Sequence, residues 1–355
     1  MKRPICVMAG GTGGHIFPGL AVAEELVRRG EAVHWIGSRY GLEQSLVPEK
    51  GIPIHFLAVR GLRGKKGLER IAGAIFLVVS IIQAIFLMLR LRPSVCVGFG
   101  GYPAGPGGIA ARLMKVPVVI HEQNAVVGMT NRYLAKFSAR VLTAFPDVLD
   151  GAECVGNPIR TEIDAVGRQR VAEGCQPTKT TRVLVIGGSQ GAKALNEKLP
   201  KKLKEIANIF GIEVTHQAGL TAQNRVDEQY QTLDLEATVV AFISRMDEAY
   251  NGADIVVCRA GALTVSELAS AAMPSVLIPF PHAVDDHQTQ NGELLQKAGA
   301  AVVVQEKDLD IFVAKLSDIL RAPQNLTQMA RAARSVAQPE ATKKVADCVL
   351  EIARG

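Results

Sequence analysis

The sequence predicts an α/β protein with two Rossmann-like, doubly wound parallel-sheet domains that face each other across a cleft. A strand–glycine loop–helix unit occurs twice, at residues 5–26 and again 177 positions later at residues 182–204. In each half, apolar strands then alternate with helical segments, which is typical of parallel sheets covered on both faces. The length of 355 residues also suits two domains of about 150–200 residues each.

The first half follows this pattern element by element. Residues 5–8 predict a strand, residues 10–14 a glycine loop, and the next residues a helix that opens near Pro18 and ends at Gly30. Further on we expect a strand, a glycine-rich turn, a helix and another strand, at residues 94–98, 100–108, 109–114 and 116–120. The last strand ends in His121-Glu122-Gln123-Asn124.

The second half repeats the order. Residues 182–186 predict a strand, 187–191 a glycine loop, and a lysine-rich helix follows. Residues 254–258 and 275–278 predict two more strands, with a helix ending at Ala271 between them. We therefore expect a first domain over residues 1–160 and a second over 161–339, joined near Asn157-Pro158, with residues 340–355 packing back on the first.

Charge is distributed unevenly along the chain. Residues 1–160 contain 19 Lys/Arg and 10 Asp/Glu, whereas residues 161–355 contain 21 and 24. This basic excess suggests that the first half meets an anionic partner, either nucleic acid or a membrane surface. Aromatic residues make up only 5% and do not alternate with the basic ones, which disfavours nucleic acid.

The cysteines and the N-terminus indicate the compartment. The six cysteines form no CxxC pair, so we interpret them as buried thiols in a reducing environment. The N-terminal residues lack the long apolar run of a signal peptide. We expect a cytoplasmic protein.

The two glycine loops predict anion sites, because backbone amides and the helix dipole point at whatever binds there. The dinucleotide pattern GxGxxG fails at Ile16, and the strand over residues 35–38 lacks the acidic residue that holds an NAD ribose. The ATP-binding pattern fails around Lys193, which is flanked by alanines. A sugar nucleotide remains compatible; a tight turn without a ligand is the structural alternative.

Six motifs in order carry a more specific resemblance: GGTGGH at 10–15, GFGGY at 98–102, HEQN at 121–124, GNPIR at 156–160, GGSQGA at 187–192 and GALTVSE at 261–267. Together they resemble the MurG family of UDP-GlcNAc transferases, which has the GT-B fold, over residues 5 to about 300. The resemblance implies an inverting, metal-independent transfer of GlcNAc from UDP-GlcNAc to the MurNAc 4-hydroxyl of undecaprenyl-diphospho-MurNAc-pentapeptide (lipid I), forming lipid II.

The resemblance also implies a setting. The enzyme would be a peripheral protein on the cytoplasmic face of the plasma membrane, acting in peptidoglycan synthesis and so in cell shape and division. It would need no cofactor, and other cell-wall synthesis proteins are potential partners.

The resemblance places the donor mainly in the second domain. Glu267 would bind the ribose hydroxyls, Ser189 the diphosphate, and Gln288 and His287 the GlcNAc. The uracil would lie beside Phe242 and Ile243, and Arg160 would neutralise the diphosphate. The remaining donor contacts would come from Ala262, Leu263 and Thr264. Structural alternatives are a solvated first-turn position for Glu267 and an interdomain ion pair for Arg160.

In the first domain, Thr12, Gly13 and Gly14 would line the acceptor's pyrophosphate site, and Asn124 would orient the transferred sugar. His15 is the candidate general base, because an imidazole titrates near neutral pH. Its structural alternative is a histidine packed at a helix start. Glu122 is a rival base, although a glutamate at a strand end is often a structural hydrogen-bond partner.

We expect no metal site. The sequence contains one DxD pattern, Asp308-Leu309-Asp310, which precedes a helical segment and is better interpreted as a helix cap.

Residues 71–89 contain no charge and are flanked by basic residues. Their length would allow a marginal transmembrane helix, but a crossing would separate strands of one sheet. A helix docked on an anionic membrane surface is the preferred interpretation; a wholly buried core helix is the other.

Three alternative functions remain open. They are a transferase with another acceptor, a nucleotide-sugar-binding or scaffolding protein without turnover, and, least compatible with the loops, an oxidoreductase.

Overall fold

The computed structural model describes residues 2–59, 68–174, 180–188 and 191–355, without the side chains of residues 68–72, Val284 and Pro323. It divides into two compact units. Unit 1 comprises Met1–Ile159 and Pro339–Gly355, and unit 2 comprises Arg160–Gln338.

The described part of unit 1 contains a seven-stranded parallel sheet. Its strands are β1 (Ile5–Ala9), β2 (Val33–Ser38), β3 (Ile54–Leu57), β4 (Val95–Gly100), β5 (Val118–Glu122), β6 (Arg140–Thr143) and β7 (Glu153–Cys154). The order is β3-β2-β1-β4-β5-β6-β7, and each neighbouring pair is parallel. The order reverses between β1 and β4, where α/β sheets of this kind bind ligands.

The helices of unit 1 are α1 (Gly13–Arg28), α2 (Glu43–Glu49), α3 (Leu68–Leu91), α4 (Ala104–Leu113), α5 (Met129–Leu134) and the C-terminal α14 (Ala341–Arg354). α14 packs against α1, and its apolar stripe Val345, Ala346, Val349 and Leu350 is buried in the same core as the strands. The last helix of the chain therefore belongs to the first sheet's core.

Two helix starts were predicted wrongly. α1 begins at Gly13 instead of near Pro18, which lies inside the helix. α4 begins at Ala104, so most of the predicted glycine-rich turn is helical. A Cβ on Gly107 would lie 2.7 Å from Sδ of Met8, and one on Gly108 would lie 2.7 Å from a Leu134 methyl. These glycines permit close helix packing, a role that glycine composition alone does not separate from a turn.

The apolar segment of unit 1 forms α3, which has two different faces. Ser80, Ala84 and Met88 are buried, and α3 packs on α4. The other face is exposed and apolar, with Ile75, Val78, Val79, Ile82, Phe86 and Leu89. The wholly buried core helix is therefore wrong. Gly73–Leu91, with a mean hydropathy of 2.4, is the one stretch within the described chain that is long and apolar enough to cross a bilayer.

Unit 2 contains, among its described residues, a six-stranded parallel sheet of order β10-β9-β8-β11-β12-β13. The strands are β8 (Thr181–Ile186), β9 (Ile212–Gln217), β10 (Ala237–Val240), β11 (Ile255–Cys258), β12 (Ser275–Leu277) and β13 (Ala301–Val303). The order again reverses between the first strand and the fourth, so the prediction of two doubly wound α/β domains is confirmed.

The helices of unit 2 are α6 (Thr161–Glu173), α7 (Lys193–Ala207), α8 (Gln223–Thr232), α9 (Met246–Asn251), α10 (Ala262–Ser270), α11 (His287–Lys297), α12 (Phe312–Leu320) and α13 (Pro323–Ser335). Two 3-10 helices, Val284–Asp286 and Glu306–Ile311, precede α11 and α12. A separate apolar core joins α7, α8 and α12 to the sheet.

Candidate active site

In unit 1 the loops after β1 and β4 meet at the point where the strand order reverses. Thr12 is the N-cap of α1, and its carbonyl accepts hydrogen bonds from the amides of His15 and Ile16. A Cβ on Gly101 would lie 2.1 Å from the carbonyl oxygen of Gly10, so only glycine allows this approach. The start of α1 lies where these two loops meet and contains Thr12, Gly13 and Gly14, which were predicted to line the acceptor site.

A buried glutamate that the sequence analysis missed supports the first glycine loop. Glu43, the first residue of α2, is fully buried. One carboxylate oxygen accepts the amide and hydroxyl of Ser38 at 2.9 and 2.7 Å, and the other accepts the amide of Gly11 at 3.2 Å. The Glu43 carboxylate therefore connects the glycine loop to the end of β2. Its two oxygens accept three hydrogen bonds, one from Gly11 and two from Ser38.

His15 is the third residue of α1 and is half-buried. Its Nδ1 lies 3.0 Å from Oε1 of Gln123, and its ring lies over Gly100, where a Cβ would come within 3.0 Å. Gln123 in turn contacts His121, whose Nε2 lies 2.8 Å from the carbonyl oxygen of Gly156. A hydrogen bond to Gln123 therefore orients the His15 ring, in addition to the packing expected of a histidine at a helix start.

Glu122, the rival base, is buried and surrounded by donors. One oxygen accepts the amide and side-chain NH2 of Asn124 at 3.0 and 3.2 Å. The other accepts the Gly128 amide at 3.0 Å and the Asn131 side chain at 2.9 Å. These four donors fix both carboxylate oxygens of Glu122 within the loop. One of the donors is the side-chain NH2 of Asn124, the residue expected to orient the transferred sugar.

In unit 2 the second glycine loop borders a cavity of about 490 Å³. The cavity lies at the start of α7 and is lined by Gly187, Gly191, Ala192, Lys193, Ala194, Glu197, Lys198, Arg259, Phe280, Gln288 and Glu306. The lining has three cationic side chains, Lys193, Lys198 and Arg259, and two carboxylates, Glu197 and Glu306. This excess of one positive charge and the N-terminus of α7 favour an anionic ligand. Of the predicted residues, Gln288 lies here, and Ser189 falls outside the described residues.

Arg259, directly after β11, is a cavity residue for which the sequence analysis predicted no role. Its guanidinium donates to the carbonyls of Ile278 and Pro279 at 3.1 and 3.0 Å and to Glu306 at 2.5 Å. It also lies 5.5 Å from the centre of the Phe280 ring. A guanidinium held from four sides presents its charge in one orientation.

Glu267 lies in the second turn of α10 and is buried, so the solvated first-turn alternative is wrong. Oε2 accepts a hydrogen bond from the Tyr250 hydroxyl at 3.2 Å, and Oε1 lies 3.5 Å from Nη2 of Arg160. Burial raises the pKa of the Glu267 carboxyl, and the Arg160 charge and the Tyr250 hydrogen bond oppose that shift. Arg160 is half-exposed at the N-cap of α6, and the ion pair expected of it as the structural alternative is present. Because unit 2 begins at Arg160, one residue before the predicted boundary, this pair lies within unit 2.

The other predicted donor residues lie in loops and helix starts at the carboxyl ends of the strands. Ala262, Leu263 and Thr264 form the first turn of α10, directly after the β11 loop. Phe242 and Ile243 follow β10, with Phe242 exposed. Within the 3-10 turn before α11, Asp285 and Asp286 have left-handed backbones, and His287 begins the helix. Gln288 accepts a hydrogen bond from the Phe280 amide at 2.9 Å.

Asp308 and Asp310 lie inside a 3-10 helix capped by Gln305, and Ile311 is the N-cap of α12. Their interpretation as a helix cap is therefore wrong. Across the described residues, no group of three or more His, Cys, Asp or Glu side chains has the arrangement of a metal site.

Comparison with known proteins agrees with this architecture in both units. Residues 5–143 match the glycosyltransferase family 28 N-terminal domain, and residues 182–348 match the family 28 C-terminal domain. The crystal structure of Acinetobacter baumannii MurG superposes with a TM-score of 0.84 at 38% identity, covering 98% of this chain and 99% of that one. The glycosyltransferase VinC in complex with dTDP, at 14% identity and a TM-score of 0.67, shares the fold.

Curated relatives match from end to end. Proteins of Pseudomonas fluorescens and Pseudomonas paraeruginosa are 46% and 47% identical over 360 and 362 residues, covering the whole of both chains. Both are named UDP-N-acetylglucosamine--N-acetylmuramyl-(pentapeptide) pyrophosphoryl-undecaprenol N-acetylglucosamine transferase. With both domain models matched in order and the relatives aligned over their full length, this chain belongs to glycosyltransferase family 28.

Proposed function

We propose that this protein transfers N-acetylglucosamine from UDP-GlcNAc to lipid I, the undecaprenyl-diphospho-MurNAc-pentapeptide, and so forms lipid II in peptidoglycan synthesis. The observation that carries the proposal is the full-length match, at 46–47% identity, to relatives named for this reaction. The MurG neighbour with a TM-score of 0.84 supports it. The oxidoreductase alternative has no counterpart in these relatives.

The transfer is a single displacement. The acceptor's 4-hydroxyl oxygen attacks the anomeric carbon and forms the new glycosidic bond. The bond from that carbon to the UDP oxygen breaks, UDP leaves with the electron pair, and the hydroxyl proton passes to a base. One displacement inverts the α-linked donor to a β-linked product, so a second catalytic carboxylate is not required.

We assign the donor to unit 2 and the acceptor to unit 1. The cavity beside α7 has three cations, Lys193, Lys198 and Arg259, against two carboxylates, and it lies at a helix N-terminus, which suits a diphosphate. Glu267 and the first turn of α10, Ala262 to Thr264, would hold the nucleoside together with Phe242 and Ile243, and Gln288 and His287 the sugar. Thr12, Gly13 and Gly14 would receive the acceptor's diphosphate, with Asn124 nearby. Arg160 and Ser189 would bind the diphosphate of the donor as well.

We assign the general base to His15. Its imidazole is half-buried at the start of α1 and hydrogen-bonded through one nitrogen, which leaves the other to act on a substrate. Glu122 suits the role less well, because four donors surround its oxygens. The charge that develops on UDP would be met by Arg259 and the α7 N-terminus, so we expect transfer without a metal ion.

We also propose that the exposed face of α3 docks on an anionic membrane surface. α3 connects β3 and β4, which lie in the same sheet on either side of β2 and β1. A span would place the two ends of α3 on opposite sides of the bilayer, whereas both must join this one sheet. The apolar stripe from Ile75 to Leu89, followed by the exposed Arg90 and Arg92, suits a surface docking. This location fits an acceptor whose lipid tail stays in the bilayer.

The test is transfer of labelled GlcNAc from UDP-GlcNAc to a lipid I analogue with EDTA present. We expect robust transfer by the wild type and a loss of about 10²- to 10⁴-fold for His15→Ala, the usual contribution of a general base. His55→Ala, on the edge strand β3 and outside the assigned donor and acceptor sites, is the matched control. UDP-GlcNAc binding without transfer would contradict the proposed reaction and favour a binding protein or another acceptor.

A further inference from the structure

A chain of hydrogen bonds leads from the interior of unit 1 to the ring of His15. It begins at the carbonyl oxygen of Gly156, which lies 2.8 Å from Nε2 of His121. Nδ1 of His121 lies 3.1 Å from Nε2 of Gln123, and Oε1 of Gln123 lies 3.0 Å from Nδ1 of His15. His121 and Gln123 are both fully buried.

The proton positions along this chain follow from its inner end. A carbonyl oxygen only accepts, so Nε2 of His121 carries the hydrogen. Burial lowers the pKa of His121 to about 4, so the ring is neutral and its Nδ1 has a lone pair. The group that faces this lone pair is therefore the NH2 of Gln123.

A second contact gives the same orientation for the Gln123 amide. Its Nε2 lies 2.9 Å from the backbone carbonyl oxygen of His121, which also only accepts. A flipped amide would place an oxygen against that carbonyl oxygen and against a lone pair. The backbone of Gln123 is held as well, since its carbonyl accepts the Asn157 side chain at 3.1 Å.

With the amide so oriented, Oε1 faces His15, and Nδ1 of His15 must donate. A neutral imidazole carries one hydrogen, so its Nε2 then has the lone pair. We propose that Gln123 and His121 are positioning residues that hold His15 as the Nδ1–H tautomer, with Nε2 as the proton-accepting atom. The inference rests on the proposed role of His15 as the base of the transfer reaction.

The tautomer of His15 can be determined spectroscopically, without measuring enzymatic transfer. We would record two-dimensional NMR of the full-length protein with ring-¹⁵N-labelled histidine at about pH 8.5, where ordinary imidazoles are neutral. The His15 signals are identified by their loss in His15→Ala. We expect Nδ1–H for His15 and Nε2–H for His121. An Nε2–H tautomer at His15 in the wild type overturns the proposal.

Two substitutions at Gln123 test the cause. Gln123→Met keeps the length but removes the acceptor, so we expect His15 to leave the Nδ1–H form. Gln123→Glu keeps an acceptor for Nδ1 of His15 but loses the NH2 group that faces His121. We therefore expect a lower free energy of unfolding but retention of the Nδ1–H form of His15, even if the methionine variant does not fold. Gln44→Met, at an exposed position of α2, is the matched control. An Nδ1–H signal that survives in folded Gln123→Met, or disappears in Gln123→Glu, contradicts the inference.

Kinetics connect the tautomer with the reaction. We expect Gln123→Met to lower kcat about 10- to 100-fold, less than the roughly 10²- to 10⁴-fold loss of a general base, with an unchanged KM for UDP-GlcNAc. The double variant with His15→Ala should be no slower than His15→Ala alone. If His15→Ala transfers at the wild-type rate, the base assignment fails. An Nε2–H tautomer in the wild type refutes the positioning role and leaves the transfer reaction standing.

Discussion

The hydroxyl of Tyr250 lies 3.2 Å from Oε2 of Glu267, a buried carboxylate whose other oxygen lies 3.5 Å from Nη2 of Arg160. The two donors approach different oxygens of the same group. Tyr250 is itself fully buried. The carboxylate proposed to bind the donor's ribose is therefore oriented by a phenol from α9 and a guanidinium from the N-cap of α6.

Tyr250→Phe should weaken both the fold and the donor site. Removing the hydroxyl leaves Oε2 of a buried carboxylate without this donor, which costs about 1.5–3 kcal/mol. We expect a lower free energy of unfolding in urea titrations and about tenfold weaker UDP-GlcNAc binding by calorimetry, an energy of about 1.4 kcal/mol. Tyr40→Phe, at an exposed position, should change neither; equal losses in both variants would refute the interpretation.

Arg259→Lys should impair donor binding although the charge is kept. The planar guanidinium of Arg259 donates at the same time to the carbonyls of Ile278 and Pro279 and to Glu306. A lysine ammonium cannot reproduce this geometry. We expect the dissociation constant for UDP-GlcNAc to rise about 10-fold or more, equivalent to at least about 1.4 kcal/mol. Arg245→Lys, an exposed arginine paired with Asp247, is the control. Unchanged affinity in Arg259→Lys would remove Arg259 from the donor site.

Glu43→Gln should affect the acceptor and spare the donor. The glutamine NH2 would face one of the donors now bound by the carboxylate, the Ser38 group or the Gly11 amide. An unsatisfied buried group of this kind costs about 1–3 kcal/mol. We expect a higher KM for the lipid I analogue with an unchanged dissociation constant for UDP-GlcNAc. Glu49→Gln, on the exposed end of the same helix, controls for the change of charge; a matching rise there would contradict the assignment.

Two glutamates on the exposed face of α3 should release the protein from anionic vesicles. Ile82→Glu with Phe86→Glu replaces apolar side chains, of which Phe86 is 68% exposed, so folding should persist. Each apolar side chain that no longer inserts into the membrane lowers the free energy of membrane binding by up to about 1.5–3 kcal/mol. Flotation with phosphatidylglycerol vesicles measures binding, and transfer to a water-soluble lipid I analogue should be unchanged. Ile209→Glu, also exposed, is the control. Undiminished flotation of the double variant would exclude α3 as the docking face.

Acid should destabilise both units through buried neutral histidines. Burial lowers the pKa of His121 and of His216 to about 4. In the unfolded chain these histidines bind protons near pH 6.5, whereas in the folded protein they stay neutral down to about pH 4. The folded state therefore has its full free energy of unfolding above about pH 6.5 and loses part of it as the pH falls toward 4. Between about pH 7 and pH 5 each histidine accounts for a loss of about 2 kcal/mol.

His216→Gln tests this dependence by denaturant titration at both pH values. The variant should lose about 2 kcal/mol less than the wild type over the interval, and His282→Gln, at an exposed position, should follow the wild type. A parallel decline of His216→Gln and wild type would assign the acid sensitivity to other groups.

The sequence by itself determined the class of fold and the family. Strand–glycine loop–helix order and continuous apolar strands are local properties, because side-chain period and glycine conformations are set by neighbouring residues. The two parallel sheets, with the same reversal of strand order, are confirmed. The motifs from Gly10 to Glu267 likewise predicted the transferase family that the comparisons show. The residue roles inferred from them remain predictions.

Only the tertiary structure decided which polar groups meet. Glu43 and Gly11 are 32 positions apart, and Gln123 and His15 are 108 positions apart, yet each pair is within hydrogen-bond distance. Composition could not show that Gly107 and Gly108 serve helix packing, nor that Glu267 is buried against Tyr250. Such pairings depend on where the sheet order reverses and on which helix faces are covered. Long-range packing sets both, so no local window of the sequence contains them.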